Sequence, residues 1–344
     1  MSRSMLQTAR RPGFGQMLLG GALAALAIAG VIWPGMALFV GRSLVVIAPL
    51  VIPGIALAAW IVASGADTHI AQVFNRRIGQ AVVAATAIGA VTPVCGVTVL
   101  PLMVGLLAAG VPLAPVMAFW LSSPVTDPAM LAATAATLGV SFALAKTAAA
   151  LLLGLIGGFG VAMFGSRDWV HQPLRQNGLV LGLLDGRDGC GDNCAAPLPF
   201  RWNIWADPDR SRRFRARALA TTRLMLICLI PAFAAEYALN ASLRPEALSG
   251  WVGRDTPWAI PLAVMVGAPA YLDGFAALPL TRGLINLGMS PGAALGFLVS
   301  GGVISIWGAM ALFPVLRLKP FLLYLALALA GSLLAAYGFE AVMA

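Results

Sequence analysis

The chain has 344 residues, of which 60% are hydrophobic and only 10% charged, and its mean hydropathy is +0.89. An average soluble domain is about a quarter charged, so this composition excludes an ordinary soluble globule and identifies an integral membrane protein. The net charge of +9 does not point to nucleic acid, because the arginines lie between apolar runs, where they hold loops on the cytoplasmic side.

The first apolar run, Met17 to Val40, carries Pro34 and follows Arg3, Arg10 and Arg11. It is too long for the h-region of a signal peptide and further spans follow it, so it reads as an uncleaved helix within an extra N-terminal element, residues 1–42. A second helix is predicted from Ser43 to Ser64, and a polar patch with Asp67, His69, Asn75, Arg76 and Arg77 returns the chain to the cytoplasmic face. Gly79 to Gly110 is about thirty residues with Pro93, Gly96, Pro101 and Gly105 inside it, too long for one standard span and too broken for one straight helix. It reads as a helical hairpin. Pro112 to Leu138 follows as a span interrupted between Ser122 and Pro128, and Val140 to Phe164 returns with Lys146 inside it. Residues 43–164 form the first repeat.

Residues 165–217 carry nine arginines, including the run from Arg210 to Arg217, and read as a cytoplasmic linker. Its tryptophans, Trp202 and Trp205, and its last arginines suit an amphipathic helix in the headgroup layer. Cys190 and Cys194 supply only half of a zinc set, with Asp192 and distant His171 as the remaining candidates, so an ordinary loop is expected there and no metal. Cys95 and Cys228 complete the cysteines, and no disulfide framework is expected. Residues 218–344 form the second repeat: a span from Ala218 to Leu239, a short outer loop, a second broken stretch from Ala259 to Gly288, and spans from Pro291 to Val315 and Pro320 to Phe339. Lys146 and Glu236 are read as snorkelling to the interfaces.

The two repeats are visible as residues. Shifting Val91 to Leu131 by 178 positions lays it without a gap on Pro269 to Ala309. Gly96 meets Gly274, Leu100-Pro101-Leu102 meets Leu278-Pro279-Leu280, and Gly105, Gly110, Phe119 and Ser122 meet Gly283, Gly288, Phe297 and Ser300. A duplication that keeps mainly Gly, Pro and Ser in an apolar chain is the signature of a transporter built from related halves. Each half crosses the membrane an odd number of times whether its hairpin is re-entrant or spans fully, so the second half is inverted. The predicted fold is all-α and polytopic, with two inverted-topology repeats, each containing a broken hairpin and an interrupted helix.

Interrupted helices in a membrane are tolerated where they are buried in protein or line a water-filled cavity. Each half is interrupted twice at matching places: Thr92 to Gly96 against Ala270 to Gly274, and Ser122-Ser123-Pro124 against Ser300-Gly301-Gly302. The four tips are expected to meet near the midplane and offer backbone dipoles, hydroxyls, a thiol and a carboxylate to a small ligand. The candidate transport path is therefore Cys95, Gly96, Ser122, Ser123, Pro124, Asp127, Asp273, Gly274, Ser300 and Gly301. Cys95 and Asp273 occupy equivalent positions of the two tips, and a soft thiol facing a titratable carboxylate suits a thiophilic solute coupled to protons. Spacing alone does not select that over another small polar solute. Asp127, Asp273 and Arg282 are the coupling candidates, Arg282 either neutralising a carboxylate or holding an anionic solute. No Walker A loop, HExxH or nucleophile elbow occurs, so ATP hydrolysis and proteolysis are not expected.

Val94 to Leu131 resembles the core of the predicted permease family DUF318, the YraQ and ArsP-like permeases, and Tyr271 to Ile304 resembles its second copy. Cys95, Gly96, Pro101, Gly110, Ser123 and Pro124 match that pattern, as do Gly274, Pro279, Gly288 and Pro291. The basic N-terminus and the arginine-rich linker fall on the same, cytoplasmic, face; the resemblance implies a bacterial inner-membrane permease and, in the branch that exports trivalent organoarsenicals, efflux and arsenic resistance. Two positions depart from it: one cysteine where members often carry Cys-x-Cys, and Asp127 where members carry asparagine. A passive channel, or a membrane-embedded thiol carrier or enzyme using Cys95 or the Cys190 and Cys194 pair, are the alternatives. Repeat symmetry favours transport, because alternating access follows from an inverted duplicate. The expected partners are the lipid bilayer, a small-molecule substrate and protons; no cofactor is expected, and the sequence sets no oligomeric state.

Overall fold

The computed structural model describes residues 35–66, 77–92, 99–108, 110–175, 200–242, 258–268, 274–304, 309 and 312–343. Within them the chain is helical, its backbone donors satisfied inside each segment as a hydrocarbon solvent requires. Cys95, Gly96, Asp273, Cys190, Cys194 and the first helix up to position 34 lie outside the described residues.

The first described helix, α1, runs from Met36 to Ser64 and carries Gly41, Arg42 and Ser43 inside it, where a break between two helices was expected. The chain bends instead between Val46 and Val51, by 53°. Pro49 and Pro53 account for the bend, because neither can donate to the carbonyl one turn back. The polar residues at 41–43 are not turn-makers when their backbone bonds are intact.

Helix α2 (Ile78–Val91) and α3 (Leu100–Ala108) flank the first tip, and α4 (Leu113–Ser122), α5 (Pro128–Leu138) and α6 (Val140–Ala162) complete the half. A short α7 (Asp168–His171) follows α6. Helix α8 spans Pro208–Ser242, so positions 42 and 217 both fall within helices. The second half is α9 (Ala259–Gly267), α10 (Gly274–Asn286), α11 (Pro291–Val303) and α12 (Leu318–Met343). Helices α6 and α12 are each long and apolar enough to cross a membrane, and α1 is a third if its bent halves count as one span. The arms of the first broken stretch lie chiefly on different partners rather than on each other: α2 packs on α4 and α6, whereas α3 packs mainly on α1.

Helix α8 lies antiparallel along α1. Phe39 meets Tyr237 with ring centroids 5.5 Å apart, and at the other end Arg210 donates to the carbonyls of Ala63 and Ser64 at 3.3 and 2.9 Å. The basic run is thus not wholly a headgroup-facing surface. Arg210 is 3% exposed and closes the C-terminus of α1, where unpaired carbonyls and the helix dipole favour a cation. Arg210→Ala is expected to cost about 1–3 kcal/mol, the range for hydrogen bonds to charged groups. It would appear as a lower thermal midpoint in detergent, and Arg210→Lys should recover part of the loss.

The 178-residue offset reappears as geometry. Gly110 and Gly288 both hold left-handed backbone, φ 88° and 101°, and close the same turn: Val111 N–H donates to Leu106 O and Met289 N–H to Leu284 O, each at 3.0 Å. Only glycine adopts that conformation without strain. A Cβ added to Gly158 would lie 2.9 Å from Ala118 Cβ, and one added to Gly296 would lie 3.0 Å from Ala336 Cβ. These are equivalent pairs, with the small residue exchanged between helices, as in small-residue packing of membrane helices.

The halves meet along α6 and α12. Phe142 packs against Phe339, Gly331 lies against Leu153, and Gly160 lies against Leu327, so the two helices run antiparallel. These two helices, 178 residues apart in the sequence, therefore point in opposite directions.

Candidate functional site

Helix α4 ends at Ser122 and α5 begins at Pro128, so the interruption expected between them is present. Asp127 sits at its far edge in extended backbone and accepts from Met130 N–H at 2.8 Å, the N-cap of α5, with Pro128 in the first turn. In the second half the break falls later than expected. Ser300, Gly301 and Gly302 form the last turn of α11, which ends at Val303. Glycines are tolerated in a helical turn that tertiary packing supports, and here Gly267 and Pro124 provide that packing.

Each break is anchored to its own half by the same contact. A Cβ on Gly89 would meet Ser122 Oγ at 2.2 Å and Phe119 O at 2.7 Å; one on Gly267 would meet Ser300 Oγ and Phe297 O, both at 2.5 Å. Ser122 Oγ donates to the carbonyls of Ala118 and Phe119 at 3.0 and 3.1 Å, and Ser300 Oγ donates to Phe297 O at 3.3 Å. Both hydroxyls therefore turn back onto their own helices. Ser123 differs: its Oγ is buried with no hydrogen-bond partner among the described residues.

The two breaks touch. A Cβ on Gly302 would stand 3.0 Å from the carbonyl oxygen of Pro124, a backbone-to-backbone approach that a side chain would crowd. Tyr324 of α12 seals the contact: its hydroxyl donates to Val303 O and its ring lies 5.3 Å from that of Trp120 in α4. Both aromatics are fully buried. Ser122, Ser123, Pro124, Ser300 and Gly301 are thus gathered in one region. Gly274 opens α10 and Arg282 lies exposed further along that helix, which packs on α5 and α11.

Lys146 corrects an expectation. It does not snorkel: it is 4% exposed in α6, and the charge of Asp127 acts on it electrostatically. Tyr324 occupies the equivalent position of the second half, 178 residues on. Among the described residues no hydrogen bond or ion pair is made to Lys146, and Asp127 is the carboxylate near enough for its charge to act on it. Membrane carboxylates and ammonium groups are expensive and tend to mark solute or proton pathways. Lys146, Tyr324 and Trp120 were not among the residues selected from sequence, although a lysine in mid-span was a signal for the first. The described part of α8 includes Cys228 and Glu236 as helical positions.

Within the described residues no group of three or more His, Cys, Asp or Glu side chains is placed to hold a metal ion. The region brings together carbonyl oxygens, one uncommitted hydroxyl and the charges of Asp127 and Lys146 around two breaks that meet.

Comparison with known proteins agrees in class. A family model, ArsP_1, described as predicted permease, matches residues 33–341. The UPF0718 protein MJ0584 of Methanocaldococcus jannaschii is 25% identical over 140 residues, which is 41% of this chain and 38% of that relative. The matched region thus spans well under half of the relative's length. No solved structure matches the chain.

Proposed function

The chain belongs to the ArsP_1 predicted permease family, and on that premise we propose that it is a secondary transporter whose two halves alternate around the meeting of their breaks. The observation that carries this reading is the approach of Gly302 to the Pro124 carbonyl, where the α4 break of one half rests on the last turn of α11 in the other. The antiparallel course of α6 and α12 supports an inverted relation between the halves, and inverted halves rocking about a fixed centre give alternating access. The site comprises Ser122, Ser123, Pro124, Asp127, Ser300 and Gly301, joined by Cys95, Gly96, Asp273 and Gly274 from the first tips.

The solute is a small thiophilic molecule, a trivalent organoarsenical, moved outward in exchange for protons. Cys95 supplies the soft ligand, Asp127 and Asp273 the titratable groups, and Arg282 a balancing charge. The protein sits in the inner membrane with its N-terminus in the cytoplasm, and the residues 1–42, 43–164, 165–217 and 218–344 are its extra helix, first repeat, linker and second repeat.

Counterflow of trivalent methylarsenite in proteoliposomes, with and without an inward proton gradient, tests this directly. Gradient-dependent movement by the parent, falling to the level of protein-free liposomes in Cys95→Ser and Asp273→Asn, is the expected result. No movement in the parent would remove the arsenical solute. Movement by the parent that both variants retain would remove the site.

A further inference from the structure

At the end of the two spanning helices lies a second feature, away from the breaks. The chain leaving α6 and the turn entering α12 are clasped together. Leu174 and Leu316 form an antiparallel bridge, Arg175 N–H donates to Val315 O and Arg317 N–H to Pro173 O, each at 2.8 Å. Arg175 completes the clasp, its Nε donating to Leu316 O at 2.6 Å and its guanidinium lying 4.4 Å from the centre of the Phe313 ring. Under this clasp is a cleft of about 510 Å³ lined by Phe164, Arg167, Asp168, Trp169, Arg317 and Lys319.

Three cations and one carboxylate face this cleft, and none of the four makes an ion pair among the described residues. Arg167 and Lys319 are exposed, Arg317 half-buried. Structural arginines in this protein look different: Arg210 is buried on two carbonyls and Arg175 is spent on Leu316 O and Phe313. The cleft thus carries three cations against the single carboxylate of Asp168, an excess of positive charge.

Position selects the occupant. The C-terminus of α6 and the N-terminus of α12 lie at the same end of two spanning helices, so the cleft is at headgroup depth. Phe164 and Trp169 pack together there at 5.8 Å, as aromatic residues do in the interfacial belt. Basic pockets between spanning helices bind anionic headgroups, and the aromatic wall offers the glycerol and upper acyl region an apolar surface. We propose that this cleft is a binding site for the phosphate of an anionic phospholipid. The proposal does not depend on what the breaks transport.

Native mass spectrometry of the full chain in detergent, with equal amounts of phosphatidylglycerol and phosphatidylcholine, reads the preference. Phosphatidylglycerol should be retained over phosphatidylcholine, and the preference should fall by about fivefold for each cation removed in Arg167→Gln and Lys319→Gln, with the double variant close to none. Arg212→Gln removes an exposed arginine outside the cleft, whose side chain is 83% exposed, and should leave the preference unchanged. Both substitutions in the cleft are at exposed positions, and a size-exclusion profile matching the parent shows that they fold. An unchanged preference in the double variant, or an equal fall in Arg212→Gln, would overturn the site. Displacement of the lipid by inorganic phosphate at comparable concentration would overturn the lipid assignment in favour of a free-phosphate site.

Discussion

Gly89→Ala and Gly267→Ala are each expected to lower stability by about 3 kcal/mol, the upper end of the cost of overpacking, and by similar amounts. The hydroxyls of Ser122 and Ser300 can rotate away from a new methyl, but the carbonyls of Phe119 and Phe297 cannot. They stand 2.7 and 2.5 Å from the added Cβ and belong to the helices that carry the breaks. Phe119 O is further fixed by the N–H of Ser123 at 3.1 Å. The methyl therefore has to push α2 from α4, or α9 from α11. Ser122→Ala in the Gly89→Ala background should recover only a minor part. Gly79 in the same helix is the control: nothing lies within 4 Å of its added Cβ, so Gly79→Ala should be neutral or slightly stabilising through helix propensity. Thermal midpoints followed by size-exclusion chromatography in detergent separate these outcomes. If Gly89→Ala and Gly267→Ala both match Gly79→Ala, the helices do not approach as closely as the contacts require.

That pair also shows what was legible in the sequence. Gly89 and Gly267 fall just before the aligned stretch, yet the same 178-residue shift relates them, because glycine is retained where backbone must touch backbone. The same holds for Gly110 and Gly288, where left-handed φ is required. Repeats written in glycine and serine survive because those residues are fixed by sterics, not by hydrophobicity, which many side chains satisfy equally. The end of α4 at Ser122 was readable from Ser-Ser-Pro, since proline disfavours helix in the residue before it. The end of α11 was not, because Ser300-Gly301-Gly302 contains no such steric block and the helix continues to Val303. Likewise Gly41-Arg42-Ser43 resembled a turn, whereas the real bend needed the missing N–H groups of Pro49 and Pro53. Depth along a helix and direction around it were the least readable. The apolar run containing Lys146 is the same whether the ammonium reaches for the interface or faces Asp127; only packing against α4 and α5 decides it.

Asp127 and Lys146 are expected to respond asymmetrically, and the asymmetry tests whether the opposed charges belong to the transport path. Asp127→Asn keeps the oxygen that accepts from Met130 N–H and so keeps the cap of α5, while removing the counter-charge from a lysine that is 4% exposed. Breaking a buried contact pair costs about 3–5 kcal/mol; with no contact and a half-buried carboxylate, about 1–3 kcal/mol is expected here. Lys146→Met should cost little or even stabilise, because an apolar side chain of similar length replaces an ammonium in a low-dielectric setting. The double variant should then be more stable than Asp127→Asn alone, a coupling that thermal midpoints in a double-mutant cycle measure directly. Transport divides the readings. If the pair is only structural, Lys146→Met, folded and at least as stable as the parent, should still move methylarsenite with the proton gradient. If the pair lies on the path, as the burial of Lys146 and the place of Asp127 at the edge of the α4 break support, Lys146→Met should lose gradient-dependent movement despite its stability, and the double variant should not regain it. Recovery of stability without recovery of transport is the expected outcome, since a membrane charge pair that contributed only to folding would be replaced by apolar packing at no cost.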